Sequence, residues 1–301
     1  MLFQDREARL KGIPFFVAKS RTMADQHILL ISCPDEMGLI SKISSIVYAH
    51  GLNILLMREF VEEESNQFFM RMTLSGDLDR NRLLKVLKQA IPSDAWVEIN
   101  PKEKKDIVLF ATKESHCVGD LLNRHHFGEL PANIRAVIAN YDVLRSYVEM
   151  LGIPFHCVSH EGKDKTTYEA ELLAMAQHYA PDYVVLAKYM RILSPQFVQQ
   201  FENRIVNIHH SFLPAFIGAN PYRQAYERGV KLIGATAHFV NNDLDEGPII
   251  VQRVISVDHG FSSKDMMAAG HEVERNVLAE ALRLVLEDRV FVSGNKTIVF
   301  S

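Results

Sequence analysis

Arg204-Ile-Val-Asn-Ile-His-His-Ser-Phe-Leu-Pro214, then Gly234-Ala-Thr-Ala-His-Phe-Val240, then Asp243-Leu-Asp-Glu-Gly-Pro248 are the stretches that decide the fold of this chain. Residues 205–210 are a short apolar run ending in polar groups, the pattern of a buried parallel strand whose C-terminal end opens into a site. Side chains alternate along a strand, so Asn207 and His209 are expected on one face and His210 on the other. A second strand over 232–240 carries His238, and the polar loop 241–248 precedes strand character resuming over 249–254. One strand end therefore offers a carboxamide beside an imidazole, and the loop can project a carboxylate toward them. That set suits acyl chemistry, in which an amide N–H stabilises a developing oxyanion and an imidazole moves a proton at the same centre. Taken singly, each residue also fits a bland role: a turn-closing Asn, a backbone-satisfied His, a solvated acidic loop.

Outward from this unit the rhythm is α/β. Strands are predicted over 107–112, 135–140, 155–159 and 183–187, separated by helices over 142–150 and 167–179, with a further helix over 195–201 introduced by Ser194-Pro195. A long helix over 262–287 and a small hairpin over 290–300 close the chain. Such alternation predicts a doubly wound, mostly parallel sheet with ligands at the strand C-terminal ends, where Ala187, Asn207 and His209 fall.

The front third differs. A strand over 27–33, a turn at Pro34-Asp-Glu-Met-Gly38, a helix over 39–50 stopped by Gly51, a hairpin over 53–60 and 67–74, a second helix over 79–91 and a strand over 96–99 give the order βαββαβ, which is ferredoxin-like. The expected division is an N-terminal extension over 1–26, a first domain over 27–100, a charged linker over 101–105 and a second domain over 106–301. Met23 stands just ahead of the first strand, which leaves an internal start open. Residues 1–26 lack the long apolar core of a secretory signal.

Composition narrows the classes. A length of 301 residues allows two domains, and a formal net charge of −4 gives no electrostatic footprint for nucleic acid. No apolar span approaches the roughly 20 residues of a membrane helix, so a cytoplasmic protein without membrane partners is expected. Cys33, Cys117 and Cys157 are too few and too scattered for a disulfide framework or a Cys-x-x-Cys metal site. His209, His238 and Asp245 have zinc-ligand chemistry, but Asn207 suits an oxyanion better than a metal, and no paired His spacing marks the site. No metal and no cofactor are expected.

The order Asn-x-His, His-Phe-Val, Leu-Asp-x-Gly-Pro, with Leu186-Ala-Lys-Tyr-Met-Arg-Ile-Leu193 upstream, resembles the formyltransferase domain of folate enzymes. Over 106–301 the likeness is to the deformylase branch of that family, down to Lys113-Glu-Ser-His-Cys-Val-Gly-Asp120 and His209-His-Ser-Phe-Leu-Pro-Ala-Phe-Ile-Gly218. The resemblance implies a formyltransferase fold that hydrolyses 10-formyltetrahydrofolate to formate and tetrahydrofolate, supplying formate for purine and one-carbon metabolism. Asn207, His209 and Asp245 match its catalytic triad: Asp245 holds and deprotonates water, Asn207 binds the oxyanion, and His209 stabilises the tetrahedral intermediate and helps N10 depart. His238 is expected beside Asp245 as a tuning or orienting group. Ala187, Lys188, Met190, Arg191, Ile192 and Leu193 match the segment lining the pterin pocket, and Lys188, Arg191 and Arg223 are candidates for the glutamyl carboxylates.

The transferases that formylate glycinamide ribonucleotide share the triad. In them a Gly-Ser-Asn loop after the first strand cradles the acceptor phosphate. Here that loop reads Lys113-Glu114-Ser115-His116-Cys117, without glycine and with a carboxylate where the phosphate would sit. Water is therefore the expected acceptor, with a transferase or a catalytically silent folate-binding regulator as the other readings. The front domain resembles an ACT domain, a small-molecule-sensing module that commonly pairs edge to edge. That implies a homo-oligomer with Asp35, Gly38 and Asn53 as candidate effector contacts, and methionine and glycine as the amino-acid effectors.

Overall fold

The computed structural model describes residues 26–214 and 221–301. The expected extension up to Gln26 and the Ala215–Gly218 part of the quoted motif lie outside the described residues, except that Gln26 opens the first strand. The chain divides into two compact units after Ile99.

The first unit runs β1 (Gln26–Pro34), α1 (Leu39–Ala49), β2 (Asn53–Glu62), β3 (Gln67–Ser75), α2 (Arg80–Ala90), β4 (Trp96–Ile99). Its antiparallel sheet has the order β2-β3-β1-β4, the ferredoxin-like arrangement. Alternate residues of β1 and β3, among them Leu29, Ile31, Phe68, Met70 and Met72, share a buried cluster with Leu39, Ile43 and Val47 of α1 and Leu83 and Leu87 of α2. The aspartate before α2 caps it, Asp79 accepting from the Arg82 amide at 3.0 Å.

The second unit runs β5 (Lys105–Ala111), α3 (His116–His126), β6 (Ala132–Ala139), α4 (Arg145–Met150), β7 (Phe155–Cys157), α5 (Lys165–His178), β8 (Tyr183–Leu186), α6 (Pro195–Gln200), β9 (Ile205–His209), α7 (Pro221–Arg228), β10 (Leu232–Phe239), β11 (Ile249–Ser256), α8 (Ser263–Leu286), β12 (Val290–Ser293) and β13 (Lys296–Val299). Seven strands form one sheet in the order β11-β10-β9-β8-β5-β6-β7. The pairs from β9 to β7 are parallel, and β10 runs antiparallel to both β9 and β11. The mostly parallel, doubly wound α/β reading holds.

Because both faces of the sheet are covered, β5 is almost continuously buried. Ile107, Leu109 and Ala111 pack with α3 and α8, and Val108 and Phe110 pack with α5 and α6. The chain winds from β5 out to β7, then crosses back to β8, so the switch point lies between the C-terminal ends of β5 and β8. Lys105, read as linker from the sequence, is the first residue of β5 and is buried, its ammonium donating to the Leu286 carbonyl at 2.9 Å and to Asp288. The long α8 starts with a reciprocal cap between Ser262 and Asp265.

Candidate active site

Strand register assembles the first part of the site. His238 on β10 pairs with Asn207 on β9, so the two side chains stand on the same face of neighbouring strands. The loop from β10 to β11 then turns back sharply. Asp245 takes a left-handed backbone (φ 57), and Phe239 donates its amide to the Pro248 carbonyl at 2.9 Å. Gly247 makes this possible, because a Cβ there would lie 1.9 Å from the Phe239 carbonyl oxygen.

The result is a connected set of four. The His209 Nδ1 lies 3.2 Å from Asp245 Oδ1, a hydrogen bond in which the imidazole donates. His238 Nδ1 lies 2.8 Å from the Phe239 carbonyl, which only accepts, so Nδ1 carries the proton. Neutral His238 then presents Nε2 as an acceptor, and Asn207 Nδ2 donates to it at 3.2 Å. His238 Nε2 is 3.7 Å from Asp245 Oδ1, outside hydrogen-bond range. Direct support of Asp245 therefore comes from His209, while His238 orients the Asn207 amide and leaves its second N–H for another acceptor.

Burial would raise the Asp245 carboxyl, but the His209 hydrogen bond and the positive field of the imidazoles around it outweigh it and hold the group well below the ordinary carboxylate range. The His209 Nε2 is shielded from solvent and has no hydrogen-bond partner among the described residues. A buried polar nitrogen left unpaired costs about 1–3 kcal/mol.

These groups line a cavity of about 410 Å³, together with Leu186, Tyr189, Met190, Arg191, Ile192, Leu193, Ile208, His210 and residues 240–244. Asn207, His209, His238, Asp245, Met190, Arg191, Ile192 and Leu193 are thus brought together as expected from the sequence. Ala187 and Lys188 are not part of the lining: Ala187 is fully buried and donates its amide to the Phe110 carbonyl. His210, expected on the opposite face, joins the wall because the chain bends after β9 ends at His209; its ring stacks on His209 at 4.9 Å. Arg223 is exposed and paired with Glu227 at 2.8 Å. Tyr189 and Leu186 were not singled out from the sequence, although they lie in the quoted Leu186–Leu193 segment.

The Lys188 side chain turns instead into a buried network centred on Glu274 of α8, which has no exposed surface. Glu274 accepts from Lys188 Nζ at 3.0 Å, from His116 Nε2 at 2.7 Å and from the Tyr222 hydroxyl at 2.5 Å. Gly270 leaves room for Tyr222, since a Cβ would sit 2.1 Å from its ring. Burial would raise the Glu274 carboxyl, but the His116 hydrogen bond, the Lys188 charge and the Tyr222 hydroxyl bring it down to about 2.

Two groups near this network bring metal-ligand atoms within 4.8 Å of one another: Glu114, His116 and His271, and His116, Cys117 and Glu274. Their geometry suits a metal poorly. The His116 and His271 rings are parallel at 4.0 Å, so their in-plane lone pairs do not converge, and burial pushes the Cys117 thiol far up. None of Asn207, His209, His238 and Asp245 belongs to either group.

In the first unit, Asp35 and Gly38 follow β1 and precede α1, where Gly38 takes φ 90. Asn53 lies at the other end of the sheet: it pairs with Ser75, which pairs with Gln26, whereas Pro34 pairs with Gln67. Nine residues of β1 separate the two ends, roughly 30 Å of extended chain. One copy of the unit therefore does not bring Asn53 to Asp35 and Gly38.

With this geometry in place, comparison with known proteins is decisive. Residues 105–282 match the formyl transferase family and residues 27–92 the ACT domain. Formyltetrahydrofolate deformylase from Haemophilus influenzae is 53% identical over 277 residues, covering 92% of this chain and all of that protein. The chain belongs to the formyltetrahydrofolate deformylase family. A crystal structure of a deformylase from Pseudomonas syringae pv. tomato superposes with a TM-score of 0.86 at 43% identity, covering 92% of this chain and 95% of that one. Glycinamide ribonucleotide transformylase 1 from Symbiobacterium toebii has a TM-score of 0.64 at 30% identity and covers 67% of this chain but 96% of its own. Deformylases thus match nearly the whole chain, and the transformylase a share close in size to the second unit alone.

Proposed function

We propose that this protein hydrolyses 10-formyltetrahydrofolate to formate and tetrahydrofolate, with water as the formyl acceptor. The observation that carries the reading is the His209 imidazole, held at Nδ1 by Asp245 and, among the described residues, unpaired at Nε2, in a cavity wall that also carries Asn207. A carboxylate held as low as Asp245 is a weak base by itself. It orients the water and stabilises the imidazolium, and His209 takes the proton at Nε2 as the water oxygen bonds to the formyl carbon. The carbonyl oxygen becomes an oxyanion that accepts the free Asn207 N–H. His209 returns its proton to N10 as the C–N bond breaks, leaving tetrahydrofolate and formic acid, which ionises to formate.

The pterin is assigned to the wall formed by Tyr189 to Leu193, with Met190 and Ile192 exposed as apolar contacts. Against a phosphorylated amine as acceptor stands Glu114, an exposed carboxylate ahead of α3 where the helix N-terminus would favour an incoming anion. No metal or cofactor takes part in this scheme. We assign the activity to the cytoplasm, its formate to purine and one-carbon metabolism, and methionine or glycine to the ACT unit as effectors. Exposed Leu55, Leu56 and Phe60 on the edge strand β2 support pairing with a second copy.

The test is formate release from 10-formyltetrahydrofolate in metal-free buffer, with and without glycinamide ribonucleotide. Formate without an acceptor, insensitive to chelator, is the expected result. Formyl transfer outpacing formate release would replace the hydrolase reading with the transferase one.

A further inference from the structure

We infer that Glu274, which lines neither the cavity nor the catalytic set, is a positioning residue that sets affinity for the folate substrate by holding the Lys188 turn. The inference rests on the proposed hydrolysis. The segment that forms one wall of the cavity begins immediately after Lys188, and Lys188 has a left-handed backbone (φ 63). For a lysine that conformation is disfavoured, because Cβ crowds the backbone, and it persists only when its surroundings enforce it. The enforcing contact is the buried ion pair with Glu274, with Nζ at 3.0 and 2.9 Å from the two carboxylate oxygens.

The rest of the wall is pinned as firmly. The Met190 amide donates to Thr112 Oγ1 at 3.0 Å, across the switch point between β8 and β5. The Tyr189 hydroxyl bonds that of Tyr168, whose ring lies 5.0 Å beneath the Arg191 guanidinium. The Ser194 amide donates to both oxygens of Glu169, at 3.1 and 3.2 Å. Four of these anchors act on the wall itself or on its C-terminal end. The Lys188 turn sets its direction as it leaves β8, and Glu274 is the group that fixes that turn. Glu274 also holds His116 of α3 and Tyr222 of α7, so one carboxylate ties the wall to three helices.

The experiment compares wild type, Glu274→Gln and the double variant Glu274→Gln/Lys188→Gly. It measures KM and kcat for 10-formyltetrahydrofolate, binding of tetrahydrofolate by fluorescence, and Tm. Loss of one charge-assisted hydrogen bond is expected to raise KM and weaken tetrahydrofolate binding about tenfold, with kcat falling less than about threefold. Glycine adopts the left-handed turn without strain and removes the stranded ammonium, so the double variant is expected to recover most of the lost affinity. Unchanged affinity in Glu274→Gln despite a lowered Tm would overturn the inference, as would failure of Lys188→Gly to restore it. If Glu274→Gln does not fold, Lys188→Met reads the same contact from its other side: a rise in KM with weaker tetrahydrofolate binding supports the inference, and an unchanged KM and tetrahydrofolate affinity refute it. Failure of the hydrolase reading is separate, appearing as absence of formate release by wild type while tetrahydrofolate binding still reports on the wall.

Discussion

Asp245 and Glu274 are two shielded carboxylates in one unit, both held below their ordinary range by histidine donors, and they do opposite things. Glu274 is fully enclosed and accepts from three side chains, so its charge is satisfied and inert. Asp245 sits in a cavity wall, and the imidazole that supports it has a second nitrogen without a partner among the described residues. The difference teaches that a lowered carboxyl does not by itself mark chemistry. What marks it is an unfinished hydrogen-bond circuit among the residues that line a space large enough for a substrate.

The strongest way to break the comparison is at the reactive end. Asp245→Asn removes the charge that orients water and stabilises the imidazolium, and should lower kcat by about 10² to 10⁴-fold. His209→Ala is expected to match it, since the two residues act as one unit. Near-full formate release by either purified variant would remove that residue from the mechanism.

At the structural end the signs reverse. Glu274→Ala strands the Lys188 ammonium and the Tyr222 hydroxyl in the interior, and should cost about 3–5 kcal/mol in urea unfolding. An unfolding midpoint equal to that of wild type would mean that water reaches the network.

Gly247 tests whether Asp245 is placed by its loop. Gly247→Ala must move the Phe239 carbonyl or the loop itself, and a shift of about 1 Å at the reacting groups costs on the order of 100-fold in rate. Activity within a few fold of wild type would show that the loop adapts.

The pH response should be the smallest effect. Both carboxyls lie below their unfolded values, so each adds stability above the unfolded value and loses it as pH falls toward the folded one. For Glu274 that window runs from about 4.5 down to about 2. Acid unfolding followed by circular dichroism should be flatter across this window in Glu274→Gln, and an identical curve would remove Glu274 from the acid response.

Legibility in the sequence follows the same divide. Asn207 and His209 could be read as one face because strand alternation is local, whereas His238 and Asp245 joined them through the family resemblance, and the pairing of β10 with β9 shows only in the fold. His210 was misplaced because alternation lapses where β9 ends. Lys105 looked like linker because a lysine beside other charges carries no local sign of burial; its partners, Leu286 and Asp288, arrive from the far end of the chain. Glu274 was illegible for the same reason. On α8 it sits among residues such as Glu272 and Arg275 that read as solvated surface, and only the fold brings Lys188, His116 and Tyr222 to it. Asn53 grouped with Asp35 by sequence analogy, whereas the register of β1, β3 and β2 sends it to the opposite end of the sheet.

The same helix also connects to the N-terminal edge of the sheet. Glu274 meets Lys188 near the substrate end, and the Leu286 carbonyl receives Lys105 at the first residue of β5. Between them α8 works as a caliper of about 18 Å, with its two jaws set in rotational phase. One inserted residue anywhere between would lengthen it by about 1.5 Å and turn one jaw by about 100° relative to the other. Indels in this lineage should therefore be absent from residues 275–285 and accumulate instead at exposed turns such as Gly294-Asn295.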